Sequence, residues 1–222
     1  MTRTTEDGAL PSRAELRRDE QGLFLTDGHM TVRADFANML KRIRPQNLSR
    51  ELLVRAAHIK GASEQPLAID ATAGLGDDSL LLAAAGFQVE LFEKNPVIAA
   101  LLEDALMRAA EHPDLAAIAA RMHLTQADSA QALPQLPTTP DVVLLDPMFP
   151  TKTKSAQAKK KLQLLQQLEQ PCDDEQRLLD AALAAHPRKV IIKRPVKGPF
   201  LAGRKPDYSL QGKAIRFDVI VG

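Results

Sequence analysis

Asp146-Pro-Met-Phe-Pro150 closes an unbroken apolar run, Val142-Val-Leu-Leu145. Its residue types suit one kind of chemistry. The exocyclic amine of a nucleobase is a poor nucleophile, because its lone pair is delocalised into the ring. The Asp146 carboxylate and the Pro147 carbonyl can each accept one N–H of such an amine, leaving the lone pair aimed at an incoming methyl group. Phe149 can stack on the base and hold it in line. Proximity and alignment then supply most of the acceleration that a one-step displacement needs. The plainer reading is an Asp-Pro turn with a core Phe, which seldom follows an apolar strand in this order of motifs.

Three further clusters precede it. In Asp70-Ala-Thr-Ala-Gly-Leu-Gly76-Asp77-Asp78, Gly74 and Gly76 let the backbone bend tightly and approach a ligand. A helix start behind them offers free N–H groups. The acids Asp70, Asp77 and Asp78 would repel a pyrophosphate but not a ligand carrying an ammonium and a sulfonium. Ser79 stands where the third glycine of a dinucleotide fingerprint belongs. Glu93, followed by Lys94, can bond the hydroxyls of a ribose, and Asp128-Ser129 can meet an adenine edge. Taken singly, each has a structural alternative: a βα turn, an exposed strand-end acid, and an Asp capping the next turn.

The elements that position these groups alternate in type. Strands are expected at 67–70, 87–92, 122–126, 141–145 and 189–193, with helices at 78–85, 96–110, 113–120, 155–170 and 173–185. Residues 208–211 and 214–221 are separated only by Gly212-Lys213, too short for a crossover helix, so they form an antiparallel hairpin. The fold class is α/β: a Rossmann-like, mostly parallel sheet of the class I methyltransferase kind, closed by a C-terminal antiparallel hairpin. It occupies residues 66–222. Residues 1–65 form a small N-terminal extension, with a hairpin over Gly22–Phe36 turning at Thr26-Asp27-Gly28 and a helix over Asn47–Ile59.

Composition narrows the setting. The 222 residues carry a net charge of +1 and a single cysteine, Cys172, which excludes an internal disulfide and suits a reducing cytoplasm. The five histidines lack metal-ligand spacing, and no metal is expected. No apolar run is long enough to span a membrane, and the polar start lacks a secretory h-region. Charge is unevenly spread. Lys152, Lys154, Lys159, Lys160 and Lys161 follow the Asp146 motif, and Arg188, Lys189, Lys193, Arg194, Lys197, Arg204 and Lys205 form a second acid-free stretch. With Arg42 and Arg44, these cations form a phosphate-binding rim if they converge on the pocket mouth. Otherwise they are a solvated surface.

On these residues the chain resembles the ribosomal RNA small subunit methyltransferase J family. The resemblance rests on Asp70-Ala-Thr-Ala-Gly-Leu-Gly76, Glu93-Lys-Asn-Pro-Val97, Asp146-Pro-Met-Phe-Pro150 with Lys152 and Lys154, Lys193-Arg-Pro195 and Arg216-Phe-Asp218. It implies a class I enzyme that uses S-adenosyl-L-methionine to methylate the N2 amine of a guanosine in 16S rRNA, with naked RNA or the 30S subunit as partner. It also implies donor contacts at Asp77 and Asp78, a ribose contact at Glu93 with Lys94, adenine-side contacts at Asp128 and Ser129, and a catalytic acid at Asp146. The residues themselves leave other readings open: adenine N6 methylation on the same fold, methylation of a protein or small molecule, and a donor-binding RNA assembly factor without catalysis. An NAD-binding oxidoreductase fits least well.

Overall fold

The computed structural model describes residues 14–147 and 174–222. Phe149, the lysine cluster after it and the helix expected over 155–170 lie outside the described residues.

The N-terminal part is a three-stranded antiparallel sheet of β1 (Glu15–Asp19), β2 (Gly22–Thr26) and β3 (Thr31–Val32). The expected hairpin is β2–β3, with Leu25 opposite Val32. Asp27 closes its turn by accepting the N–H groups of His29 at 2.9 Å and Met30 at 2.8 Å. The β1 strand was not expected, because charged Glu15, Arg17 and Arg18 mask its single inward residue, Leu16. A 3-10 turn at Phe36–Met39 follows, capped by Asp35, and buries Phe36 and Met39. The helix expected over Asn47–Ile59 is two short ones, α1 (Pro45–Leu48) and α2 (Leu52–Ala57). Glu51 breaks them apart with an extended ψ of 128°. Its carboxylate is held there by two 2.8 Å bonds from Arg42.

From Leu67 the chain builds a seven-stranded sheet. Its strands are β4 (Leu67–Asp70), β5 (Gln88–Glu93), β6 (Met122–Gln126), β7 (Val142–Leu145), β8 (Lys189–Pro195), β9 (Tyr208–Gln211) and β10 (Ile215–Val221). Their spatial order is β6-β5-β4-β7-β8-β10-β9. Strands β4 to β8 are parallel, while β10 runs antiparallel to both β8 and β9. The C-terminal hairpin thus folds back so that β10, not β9, pairs with the parallel set. From β4 the chain steps outward to β5 and β6, then crosses back to place β7 on the other side of β4. The strand order therefore reverses between β4 and β7, which opens a crevice at their carboxyl ends.

Both faces of the sheet are covered. Helices α3 (Asp77–Ala84) and α4 (Pro96–Glu111) pack on one face, and α7 (Glu175–Ala184) on the other. The one-turn helices α5 (Ala116–Ala119) and α6 (Ser129–Ala132) complete the layers. Strand alternation sorts the core accordingly. Val142 and Leu144 join the α3–α4 layer, whereas Val143 and Leu145 join the α7 layer. All four are fully buried, as a strand covered on both faces requires.

The N-terminal sheet and the turn after it share the α3–α4 core, through Leu25, Val32 and Phe36. A polar joint locks it there. Asp104 of α4 is 2% exposed, accepts the Leu23 N–H at 3.0 Å, and pairs with Arg108 at 2.8 Å and Arg18 at 2.7 Å. Arg108 also donates to the Ala34 carbonyl. Among the described residues no helix is long and apolar enough to cross a membrane.

Candidate active site

The crevice at the carboxyl ends of β4, β5, β6 and β7 is a cleft of about 550 Å³. Asp70, Gly74, Gly76, Asp77, Asp78, Glu93, Lys94, Asp128, Ser129, Asp146 and Pro147 all line it, so the described site residues singled out in the sequence come together.

The β4–α3 loop is built around two glycines with positive φ, +53° at Gly74 and +83° at Gly76. They act differently. A Cβ on Gly76 would lie 2.6 Å from Leu102 Cδ1 and 3.0 Å from Phe36 Cζ, so this glycine admits the core and the N-terminal segment. A Cβ on Gly74 would meet only the Thr72 carbonyl, at 4.0 Å. Gly74 is therefore the position where the loop backbone is bare towards the cleft.

Below the loop, Asp70 is buried. It accepts the Ser79 hydroxyl at 2.6 Å and the Thr72 N–H at 3.2 Å. Burial pushes its carboxyl up to about 7 despite those bonds, and Asp78 and Asp146 add to the rise. Ser79, in the position of the missing third glycine, thus serves to satisfy Asp70. The Thr72 hydroxyl in turn accepts the Asp146 N–H at 2.6 Å, stitching the ends of β4 and β7 together.

Glu93 at the end of β5 is buried, with one carboxylate oxygen taking the Gly74 N–H at 3.0 Å and the other the Asn95 N–H at 2.7 Å. Burial holds its pKa above the usual range, against those two bonds. Each oxygen keeps a lone pair for a further donor. Asp128 caps α6 by accepting the Ala130 N–H at 3.0 Å, the structural role noted for it above, and also receives Arg177 of α7 at 3.2 Å. Ser129 beside it is buried.

Asp146 stands one residue beyond Leu145, which is paired with Ile192 of β8. The parity of β7 turns Asp146 to the α3 face, and the parity of β8 does the same for Lys193. Lys193 Nζ lies 2.8 Å from Asp146 Oδ2 and 2.6 Å from Asp78 Oδ2. Burial raises the Asp146 pKa, and Lys193 opposes that rise. Burial alone would lower Lys193, but Asp78 and Asp146 outweigh it and hold its ammonium above the usual value.

Lys193 belongs to this site and not to the phosphate rim suggested for its stretch. The structure divides that stretch. Arg188 and Lys189 lie at the opposite edge of the sheet, where Lys189 donates to the carbonyls of Ala56 and His58. Arg194 is buried and bonded to Glu175 at 2.7 Å. Sequence reading gave Thr72 no role although it lies in the quoted loop, and it missed Arg177, which α7 brings to the cleft from far along the chain. A second cleft, of about 570 Å³, shares the wall formed by Asp77, Asp78 and Lys193, and Lys41, Arg50 and Ile215 also line it.

The chain matches the SAM-dependent methyltransferase family model over residues 11–222. It is 47% identical, over 177 residues, to the ribosomal RNA small subunit methyltransferase J of Thioalkalivibrio sulfidiphilus, covering 79% of this chain and 69% of that one. The Pseudomonas aeruginosa protein of the same name is 42% identical over 207 residues, covering 90% and 79%. The chain belongs to the ribosomal RNA small subunit methyltransferase J family. A crystal structure of a SAM-dependent methyltransferase from Neisseria gonorrhoeae superposes with a TM-score of 0.76 at 32% identity, covering 100% of this chain and 86% of that one.

The methyl donor of this family, S-adenosylmethionine, suits the cleft. Among the described residues, seven acidic side chains line it against three basic ones, Lys94, Arg177 and Lys193. That excess favours a ligand with an ammonium and a sulfonium over one with a pyrophosphate. The bare Gly74 backbone and the remaining Glu93 lone pairs offer room and acceptors for a nucleoside.

Proposed function

We propose that the chain transfers the methyl group of S-adenosylmethionine to the N2 amine of a guanosine in the 16S rRNA of the small ribosomal subunit. One observation carries this reading: in a member of this family, a carboxylate with one oxygen free among the described residues stands at the β4–β7 crevice, beside a donor-sized acidic cleft.

When bound, the donor supplies an electrophilic methyl on a positively charged sulfur. Everything else falls to the chain. Asp77 and Asp78 face the ammonium end, Glu93 with Lys94 takes the ribose hydroxyls, and Asp128 and Ser129 take the adenine edge. Gly74 and Gly76 shape the loop between them. The target guanosine leaves its stack to reach the site. Asp146 and the Pro147 carbonyl accept its N2 hydrogens, and Phe149 stacks on the base. Attack of the N2 lone pair on the methyl would break the sulfur–methyl bond and release S-adenosylhomocysteine, and the N2 proton would then leave to water or Asp146. RNA flanking the target is assigned to the second cleft, where Lys41 and Arg50 have no acidic partner among the described residues. A protein that modifies ribosomal RNA would act in the cytoplasm.

The test is labelled methyl transfer to 30S subunits from a strain lacking this gene, followed by nucleoside analysis. N2-methylguanosine in the 16S RNA is the expected product. N6-methyladenosine, or label in protein alone, would replace this reading.

A further inference from the structure

We propose that Lys193 is a positioning residue for methyl transfer, clamping the Asp146 carboxylate by one oxygen so that the other is presented, charged and fixed, to the acceptor amine. This rests on the reading above, in which Asp146 receives that amine.

The geometry carries the argument. Lys193 is an α3-facing side chain of β8, in register with Asp146, and it reaches two acids on different elements. One is Asp146 Oδ2, on the acceptor strand, at 2.8 Å. The other is Asp78 Oδ2, in the first turn of α3 beside the donor loop, at 2.6 Å. The Lys193 side chain is 24% exposed and that of Asp78 17%, whereas Asp146 retains 39%. The clamp is therefore sunk, and the carboxylate it holds looks out. Asp146 Oδ1 has no partner among the described residues. The Asp146 backbone is fixed independently by its N–H bond to the Thr72 hydroxyl. Main chain and one carboxylate oxygen are thus pinned, which leaves the side chain little rotational freedom and gives the free oxygen a single direction.

The charges around the pair show what the ammonium does. Facing it are Asp77 and Asp78 from α3, Asp70 from the end of β4, and Asp146 itself. Arg194 on β8 acts on Asp146, and Arg42 from the N-terminal segment acts on Asp77. Arg42 is itself taken up by Glu51, and Arg194 by Glu175. Arg177 and Asp174 line the far side of the cleft. Lys193 is thus the one cation bonded directly to both Asp78 and Asp146 among the described residues. Without it, three or four carboxylates would crowd one low-dielectric edge, and Asp146 would take up a proton at a higher pH. Protonated, it would lose acceptor capacity on one oxygen and the power to hold the amine in line. A simple salt bridge for stability would not need to span donor loop and acceptor strand.

The experiment compares wild type, Lys193→Met and Lys193→Arg in methyl transfer to 30S subunits, with kcat measured across pH and donor binding followed by calorimetry. For Lys193→Met the expected result is a kcat about 100-fold lower. Its KM for 30S and its donor affinity stay within about threefold, and the acid limb of kcat moves upward by about 1–3 pH units, the effect of losing an adjacent opposite charge. Lys193→Arg, which keeps the charge but changes the donor geometry, returns the acid limb to the wild-type position and recovers part of kcat. A folded, donor-binding Lys193→Met enzyme with near wild-type kcat and an unmoved acid limb overturns the proposal. Should that variant not fold, an acid limb that moves upward in Lys193→Arg does the same. Wild-type enzyme that puts no methyl on 16S RNA would instead mean that the functional reading has failed.

Discussion

Gly76→Ala should damage the protein more than Gly74→Ala, although both sit in one loop at positive φ. A non-glycine residue in the left-handed region costs about 1–2 kcal/mol, and both substitutions incur this. Only Gly76 adds a steric term: its new Cβ would lie 2.6 Å from Leu102 Cδ1 and 3.0 Å from Phe36 Cζ. Both neighbours are fully buried and held by the α3–α4 core, so they cannot swing aside. Overpacking of this kind costs about 1–3 kcal/mol. The sum for Gly76→Ala is about 2–5 kcal/mol, which lowers the melting temperature by roughly 4–20 °C in a domain of this size. Gly74→Ala should lose only about 2–8 °C. Its penalty should fall on donor affinity, because Gly74 lines the cleft and its Cβ would meet no core atom. The assay is thermal melting by circular dichroism beside calorimetric titration with S-adenosylhomocysteine. A double-mutant cycle with Leu102→Ala isolates the contact, and truncating Leu102 should relieve about 1–3 kcal/mol of the Gly76→Ala defect. Equal melting temperatures for the two alanine variants, with zero coupling to Leu102, would refute the reasoning.

Asp104→Ala should destabilise the protein by about 3–5 kcal/mol, because it removes the acid that pairs with Arg108 and Arg18 and accepts the Leu23 N–H; denaturant melts would check it. Burial would raise the Asp104 pKa, but the Arg108 bond and its companions hold it below the usual value. Its contribution is therefore present above the unfolded carboxylate range and lost as pH falls through the lower folded value. Asp70 behaves oppositely. With its folded value near 7, its contribution is greatest below about pH 4 and is lost as pH rises towards 7. Asp70→Asn should accordingly gain melting temperature relative to wild type as pH rises from 4 to 7, and an advantage that is flat across this range would contradict the assignment. Lys41→Glu with Arg50→Glu should raise the KM for 30S at least about tenfold and flatten its salt dependence, leaving donor affinity unchanged; an unaltered salt slope would remove the second cleft from the RNA path.

Much of the fold was legible because its signals are local. The all-apolar Val142–Leu145 strand, the Gly212-Lys213 link and the Pro96 helix start each report on the chain within a few residues. The cleft was legible because strand ends in such a sheet converge by topology, so motifs after β4, β5, β6 and β7 must meet. What escaped depends on distant partners. Lys193 read as one of a run of surface cations, although its place one residue past Ile192, opposite Asp146 in register, was the available sign. Arg188, Lys189 and Arg194 share that run, but the first two reach backbone carbonyls at the far end of the sheet and the buried Arg194 bonds the half-buried Glu175 carboxylate. Glu51 interrupts an otherwise continuous helical pattern because Arg42, nine residues earlier, takes its carboxylate. The role of Asp104 likewise depends on Arg18 and Leu23, which come from the N-terminal sheet, far away in sequence.

The most direct test of the account is Asp146→Ala. Labelled methyl transfer to 30S subunits and calorimetric donor binding should be measured on the same preparation. The account predicts a kcat lower by at least about 100-fold, the scale for removing one group that stabilises the reacting centre, with donor affinity within about threefold of wild type. Full turnover in that variant would contradict it.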